Sequence, residues 1–244
     1  MFAFQFLTVI PFRFNDEPGK DTVSGSVTYF PLVGMTLGLA LFGLNKLLVL
    51  AGLNSFLTSA IIVVTLALVT GGLHLDGLAD TFDALGSHKD KGKMLEIMRD
   101  SHIGVMGAVS LMSILILKIA ALSSLPPETR GAGLIAACIG SRWAMTLSIW
   151  LFPYARQEGK GKDFFQGMDH KKLMVASVFA LAGVFMFCGL KSLLGLAAAG
   201  VFAYAFSRRL TGKIGGITGD NLGAINEISE VLILVTVVIL AGGV

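Results

Sequence analysis

The sequence predicts an all-α fold, a polytopic transmembrane helix bundle of about seven spans. Three observations carry this expectation. Hydrophobic residues make up 54% of the 244 and charged residues only 14%, where a soluble domain carries about 25% charged. Mean hydropathy is +0.78. The apolar residues come in runs long enough to cross a bilayer, and a lipid-spanning segment must be helical because its backbone finds no water partner there.

The elements follow in order. Residues 1–26 read as an interfacial or partly buried N-terminal segment. "MFAFQFLTVIPFRF" has no basic stretch and no cleavage site of a signal peptide. Its apolar part is also shorter than the roughly 20 residues that a span needs. Spans are expected near 27–50, 55–73, 103–123, 131–152, 173–190, 192–207 and 228–243. Polar motif loops fall at 74–102, 153–172 and 208–227. No polar block is long enough to fold alone, so 1–244 reads as a single integral membrane domain. Cys138 and Cys188 lie in apolar runs without CxxC spacing, which supports neither a disulfide framework nor a zinc site.

Basic residues set the expected orientation. Fourteen Lys and Arg, from Arg13 and Lys20 through Lys160 to Lys213, fall on one side of these spans. Only Lys46, Lys118, Arg130 and Lys191 fall on the other, and Arg142 sits inside the fourth span. The positive-inside rule makes the rich side cytoplasmic, with the N-terminus in and the C-terminus out. Lys118 is expected to snorkel outward. Arg142 is expected to face the bundle, paired with an acid or a substrate. The net charge of +3 carries no argument for nucleic acid, and none is expected as a partner.

The chemistry concentrates in "GGLHLDGLADTFDAL", residues 71–85. If the chain is helical there, Asp76, Asp80 and Asp83 fall within about 60° of one another, with Leu75, Leu78, Phe82 and Leu85 opposite. Three carboxylates on one face beside a span repel one another unless protonated or bridged by a cation. Oxygen donors without His or Cys suit Mg²⁺ or Mn²⁺. The alternative is that the aspartates cap helices or face solvent. A second stretch, "GGITGDNLGAINE" (215–227), repeats the spacing. Gly215-Gly216 fall on Gly71-Gly72, Asp220 on Asp76 and Glu227 on Asp83. The two copies are expected to form halves of one cytoplasmic site. "MRDSHIG" adds Arg99, Asp100, Ser101 and His102; the arginine and an imidazolium at His102 are suited to phosphate oxygens, and the alternative is a charged cluster at the membrane surface. A metal held by carboxylates with basic residues near by is equipment for acting on a diphosphate.

At these residues the sequence resembles the cobalamin synthase family, the adenosylcobinamide-GDP ribazoletransferases. "YFPLVG" (29–34), "HLDGLADT", "MRDSHIG" and "GGITGDNLGA" carry the resemblance. It implies a bacterial or archaeal inner-membrane enzyme dependent on Mg²⁺. Such an enzyme joins α-ribazole, or its 5′-phosphate, to adenosylcobinamide-GDP and releases GMP. Asp76, Asp80, Asp83, Asp220 and Glu227 become the candidate metal ligands. Asp80, Asp76 and Glu227 are the catalytic candidates, with Asp220 and Glu227 as candidates for a second metal or for the general base. Arg99, His102, Asp100, Asp220, His74 and Arg142 are the substrate-binding candidates. The family often has Arg where this chain has His102, which lowers the charge offered there. A homo-oligomer stays open. Two other classes fit the same residues: another Mg²⁺-dependent diphosphate-using membrane transferase, and a cation or corrinoid transporter. Nearly all the acids fall on the predicted cytoplasmic rim, which disfavours transport, since that needs them near mid-bilayer.

Overall fold

The computed structural model describes residues 2–11, 19–159 and 161–242; the expectations placed on Arg13 and Lys160 lie outside these. The chain forms the expected helical bundle. In order come α1 (Phe2–Leu7), α2 (Lys20–Ser26), α3 (Phe30–Leu50), α4 (Ser55–Val69), α5 (Leu73–Gly86) and α6 (Lys91–Ile97). Then follow α7 (Val105–Ser123), α8 (Pro127–Leu151), α9 (Lys162–Phe165), α10 (His170–Cys188), α11 (Leu193–Ile214) and α12 (Gly219–Gly242). Six of the helical stretches are long and apolar enough to cross a membrane: α2–α3 together, α7, α8, α10, α11 and α12.

Helix ends follow local chemistry. Asn54 accepts from the Leu57 N–H to start α4, Asp90 from the Lys93 N–H to start α6, and Asp169 from the Lys172 N–H to start α10. Each satisfies a donor that the first turn leaves unpaired. α3 carries Pro31 in its first turn, where a missing N–H costs nothing.

α8 is the central helix: 78% of its membrane-length window is buried, against 22–33% for α3, α7, α10 and α11. Its small residues permit this. Gly34 and Gly38 of α3 are spaced as GxxxG. A Cβ at Gly34 would collide with the Cys138 carbonyl, and one at Gly38 would sit 2.7 Å from the Ile135 Cα. The "YFPLVG" motif thus serves helix packing, where glycine lets backbones approach. The lipid-facing helices carry exposed Leu, Val, Phe and Met side chains such as Leu68, Ile116, Met186 and Val201, as lipid contact requires.

The second span differs from expectation. α4 has only 15 residues, about 22 Å long, less than the hydrocarbon thickness of about 30 Å. Gly71 and Gly72 then take φ +63° and +71°, a left-handed conformation that glycine adopts without a Cβ penalty. α5 leaves at 88° to α4. It runs over the start of α12 and is not among the six stretches long and apolar enough to cross a membrane on their own. The expected motif loop 74–102 is therefore mostly helix, α5 and α6. The expected loop 208–227 shrinks to 215–218, because α11 continues to Ile214 and α12 begins at Gly219. At the N-terminus α1 buries Ala3 and Leu7, and Phe6 stacks with Phe30 and packs on Phe164; residues 20–26, expected in the interfacial segment, run on into the Lys20–Leu50 stretch that is long and apolar enough to cross a membrane.

At the far end of the bundle, Arg130 is fully buried. Its Nη2 donates to Ser55 Oγ (2.7 Å) and its Nε to the Leu122 carbonyl (2.9 Å). It ties α8 to α4 and α7.

Candidate active site

The two repeat motifs meet. α5 crosses the start of α12 through glycine on both sides. A Cβ on Gly77 would lie 2.6 Å from the Asp220 carbonyl oxygen, and one on Gly223 would lie 2.9 Å from the His74 carbonyl oxygen. Asn221 fastens the crossing by donating to Thr81 Oγ1 at 3.0 Å. No larger residue allows backbones this close, so Gly77 and Gly223 are packing residues first. Gly77→Ala must push α12 away from α5, at a cost of about 1–3 kcal/mol of overpacking. Gly43→Ala, inside α3, meets open space and should hold or raise stability by up to about 1 kcal/mol. Thermal unfolding of the solubilised protein reads both.

The crossing gathers three carboxylates. Asp76 and Asp80 line a cleft of about 480 Å³ whose other wall is Ser101, His102 and Ile103. Asp220 stands close enough to act on both aspartates of α5. Burial, followed by the charges of Asp76, Asp220 and Asp83, pushes the Asp80 carboxyl up to about 7. Among the described residues, no three His, Cys, Asp or Glu side chains converge tightly enough to hold an ion alone.

Asp83 shares the stripe but not the cleft. Its two oxygens accept from the Gly104 N–H (2.6 Å) and the Gly107 N–H (2.8 Å), capping α7 from outside. A Cβ on either glycine would strike this carboxylate. The capping reading open from sequence thus applies to Asp83 and not to its two neighbours.

Glu227 is placed elsewhere. It is two turns into α12 and buried, with Oε2 2.6 Å from Lys118 Nζ. Lys118 also reaches Glu230 at 2.5 Å, and Arg142 bonds Glu230 through Nη1. This quartet carries two positive and two negative charges, as buried ions demand. It corrects three expectations. Lys118 does not snorkel outward. Glu227 does not join Asp76, Asp80 and Asp220. Nor does it lie in a cytoplasmic loop, since it is buried with Glu230 inside the α12 span. Arg142 does face the bundle and pair with an acid. His74 sits beside this quartet, 2% exposed, with neither ring nitrogen hydrogen-bonded. It does not line the cleft.

The "MRDSHIG" stretch divides. His102 faces the cleft, and Asp100 holds it by accepting from its N–H at 3.0 Å and contacting its ring Nδ1 at 2.5 Å. That hydrogen bond holds the imidazole above its ordinary value and the Asp100 carboxyl below its own. Arg99 points to a different hollow, away from His102.

Arg156 carried no signal in the sequence. The segment after α8 pairs with the turn before α12: the Ala155 N–H donates to the Ile217 carbonyl and the Ile217 N–H to the Pro153 carbonyl, both at 2.9 Å. This pairing seats Arg156 Nη2 2.8 Å from Asp220 Oδ2. Lys118 and Glu230 did leave a signal. Glu227 and Glu230 are three apart in an apolar helix, and such acids need a cation.

An all-helical membrane bundle with two glycine-crossed motifs that present carboxylates, an arginine and a histidine at one edge defines a membrane-embedded transferase type of site. Comparison with known proteins specifies it. The family model described as CobS, cobalamin-5-phosphate synthase, matches residues 1–238. A protein of Geotalea daltonii named adenosylcobinamide-GDP ribazoletransferase is 35% identical over 240 residues, covering 98% of this chain and 96% of that one. Proteins of the same name from Roseiflexus sp. and Fusobacterium nucleatum are each 37% identical. They cover 98% and 93% of this chain and 88% and 92% of their own. The chain belongs to the CobS family. No solved structure matches it.

Proposed function

We propose that the chain is an adenosylcobinamide-GDP ribazoletransferase working at the cytoplasmic face of a bacterial or archaeal inner membrane. A hydroxyl of α-ribazole, or of its 5′-phosphate, attacks the cobinamide-side phosphorus of adenosylcobinamide-GDP. The P–O bond to GMP breaks, GMP leaves, and the hydroxyl proton passes to water or a cleft carboxylate. The product is adenosylcobalamin or its 5′-phosphate. The observation that carries this reading is the α5–α12 crossing, which brings the Asp220–Arg156 pair up beside Asp80, while Asp76 and Asp80 line the cleft. The excess of basic residues at the ends of the helices that meet there supports the cytoplasmic assignment.

Mg²⁺ is the cofactor we assign to this cleft. The donors are hard oxygens, and a cation would relieve the repulsion that pushes Asp80 up to about 7. Asp76 and Asp80 would hold it, with Asp220 near by. Mg²⁺ commonly takes only one or two carboxylates and completes its shell with water and substrate phosphate, so a tight three-acid cage is not required. When bound, it would neutralise charge on the diphosphate and the leaving GMP. The protein's own residues do the rest. Asp100 holds the His102 ring toward the cleft, where its N–H can donate to phosphate oxygen. Arg156 fixes the Asp220 carboxylate in place.

The test is GMP release by purified protein in detergent, requiring adenosylcobinamide-GDP, α-ribazole and Mg²⁺ together. Absence of release from folded protein overturns the reading. The Mg²⁺ requirement should also depend on pH. Because Asp80 is protonated below about pH 7, cation binding there displaces a proton. The Mg²⁺ concentration for half-maximal rate should therefore rise up to about tenfold per unit as pH falls below 7, and level off above it. A flat profile removes Asp80 as ligand.

A further inference from the structure

Beyond the carboxylate cleft, a second hollow of about 370 Å³ opens between α6 and the segment after α8. Its wall includes Lys91, Arg99 and Arg156. The acid there, Glu96, is already taken: Lys93 Nζ bonds its Oε1 at 2.8 Å. Among the described residues, Lys91 and Arg99 make no side-chain hydrogen bond or ion pair. Arg156 spends one nitrogen on Asp220 and leaves its buried Nε without a partner.

We propose that this hollow is a phosphate subsite in which Lys91, Arg99 and Arg156 together bind the phosphate of a nucleotide monoester. Three cations around one concave surface repel one another, and an anion between them removes that repulsion. Two guanidinium groups offer forked donors that match phosphate oxygens, and a lysine adds a point charge. The frame is fixed rather than floppy. α6 is capped by Asp90, and the 153–155 segment is pinned to Ile217. Lys91 Nζ lies against Gly215, 2.7 Å from where a Cβ would stand, so the glycine leaves room for the lysine to reach the hollow.

Arg156 links this subsite to the carboxylates of the cleft. It lines the hollow, and its Nη2 holds Asp220, whose charge acts on Asp80. A phosphate bound here would therefore lie one side chain away from the reacting diphosphate. Resting on the proposed function, the monoester is either the departing GMP or an acceptor that carries its own 5′-phosphate.

The experiment uses the full chain in nanodiscs of neutral phosphatidylcholine. Binding of GMP, guanosine, α-ribazole 5′-phosphate and α-ribazole is measured by calorimetry for the parent, Lys91→Gln and Arg99→Gln. Arg156 is left intact because it also holds Asp220. Each variant should weaken a phosphate-bearing ligand about tenfold, the size expected for losing one charge-assisted hydrogen bond, and leave its unphosphorylated counterpart unchanged. Loss confined to GMP assigns the subsite to the leaving nucleotide; loss confined to α-ribazole 5′-phosphate assigns it to the acceptor. Unchanged binding of both phosphates, equal weakening of the unphosphorylated ligands, or an effect that appears only in anionic-lipid discs overturns the proposal. Failure of GMP release from adenosylcobinamide-GDP would count against the proposed function instead, since phosphate binding is measured without turnover.

Discussion

Asp80→Asn should abolish GMP release, by about 10³-fold or more, while the protein keeps or slightly raises its thermal midpoint. The two effects part because this carboxylate is held at a cost. Burial and the neighbouring acids push it up to about 7, so the folded protein disfavours its charge. The sign follows directly. A carboxyl raised in the folded state destabilises the fold wherever the unfolded chain would ionise it, above about pH 4. Asn keeps the shape and removes that penalty, but it provides no charged oxygen for a cation. Asp83→Ala should behave in the opposite way. Its oxygens cap α7 through Gly104 and Gly107, and losing such a cap costs about 0.5–2 kcal/mol. Two aspartates three residues apart on one stripe thus separate into a chemical and a structural role. Near-normal activity in Asp80→Asn would remove Asp80 from the reaction.

The largest stability effect is expected at Lys118. Lys118→Met leaves Glu227 and Glu230 buried with only Arg142 to balance them. Breaking a buried ion pair by removing one partner costs about 3–5 kcal/mol. The double variant Lys118→Met with Glu227→Gln restores one charge of each sign and should recover most of that loss. Denaturation in mixed micelles measures the stabilities, and GMP release measures the consequence. If the double variant is as stable as the parent and active, Glu227 is a structural counter-ion. If it is stable and inactive, Glu227 returns to the list of catalytic residues. The same pairing bears on the transporter alternative: the acids within the span are already matched by cations, so neither offers a free carboxylate to a passing ion.

What the sequence alone determined is the class of fold and the location of the chemistry. Low charge and long apolar runs leave a lipid-embedded chain no option but helices. The 3.6-residue period placed Asp76 and Asp80 on one face whatever the tertiary structure. The Gly-Gly-x₃-Asp repeat marked two segments nearly 150 residues apart in sequence that meet in the fold, but the crossing itself rests on Gly77 and Gly223, which are not equivalent positions of the repeat. What only the tertiary structure decided is which partner each charge finds. Asp83 and Glu227 occupy equivalent places in the repeat. One caps α7 and the other meets Lys118, because a side chain's partner depends on the helix packed beside it and not on its own neighbours in sequence. Arg156 lies in a segment without any periodic signal, and only the backbone pairing of 153–155 with 217 brings it to Asp220. The bend at Gly71-Gly72 had a visible cause in sequence, but not its angle. That angle is set by α5 finding its glycine-lined seat on α12, and it turns a stripe of acids at the end of a span into the wall of a cleft.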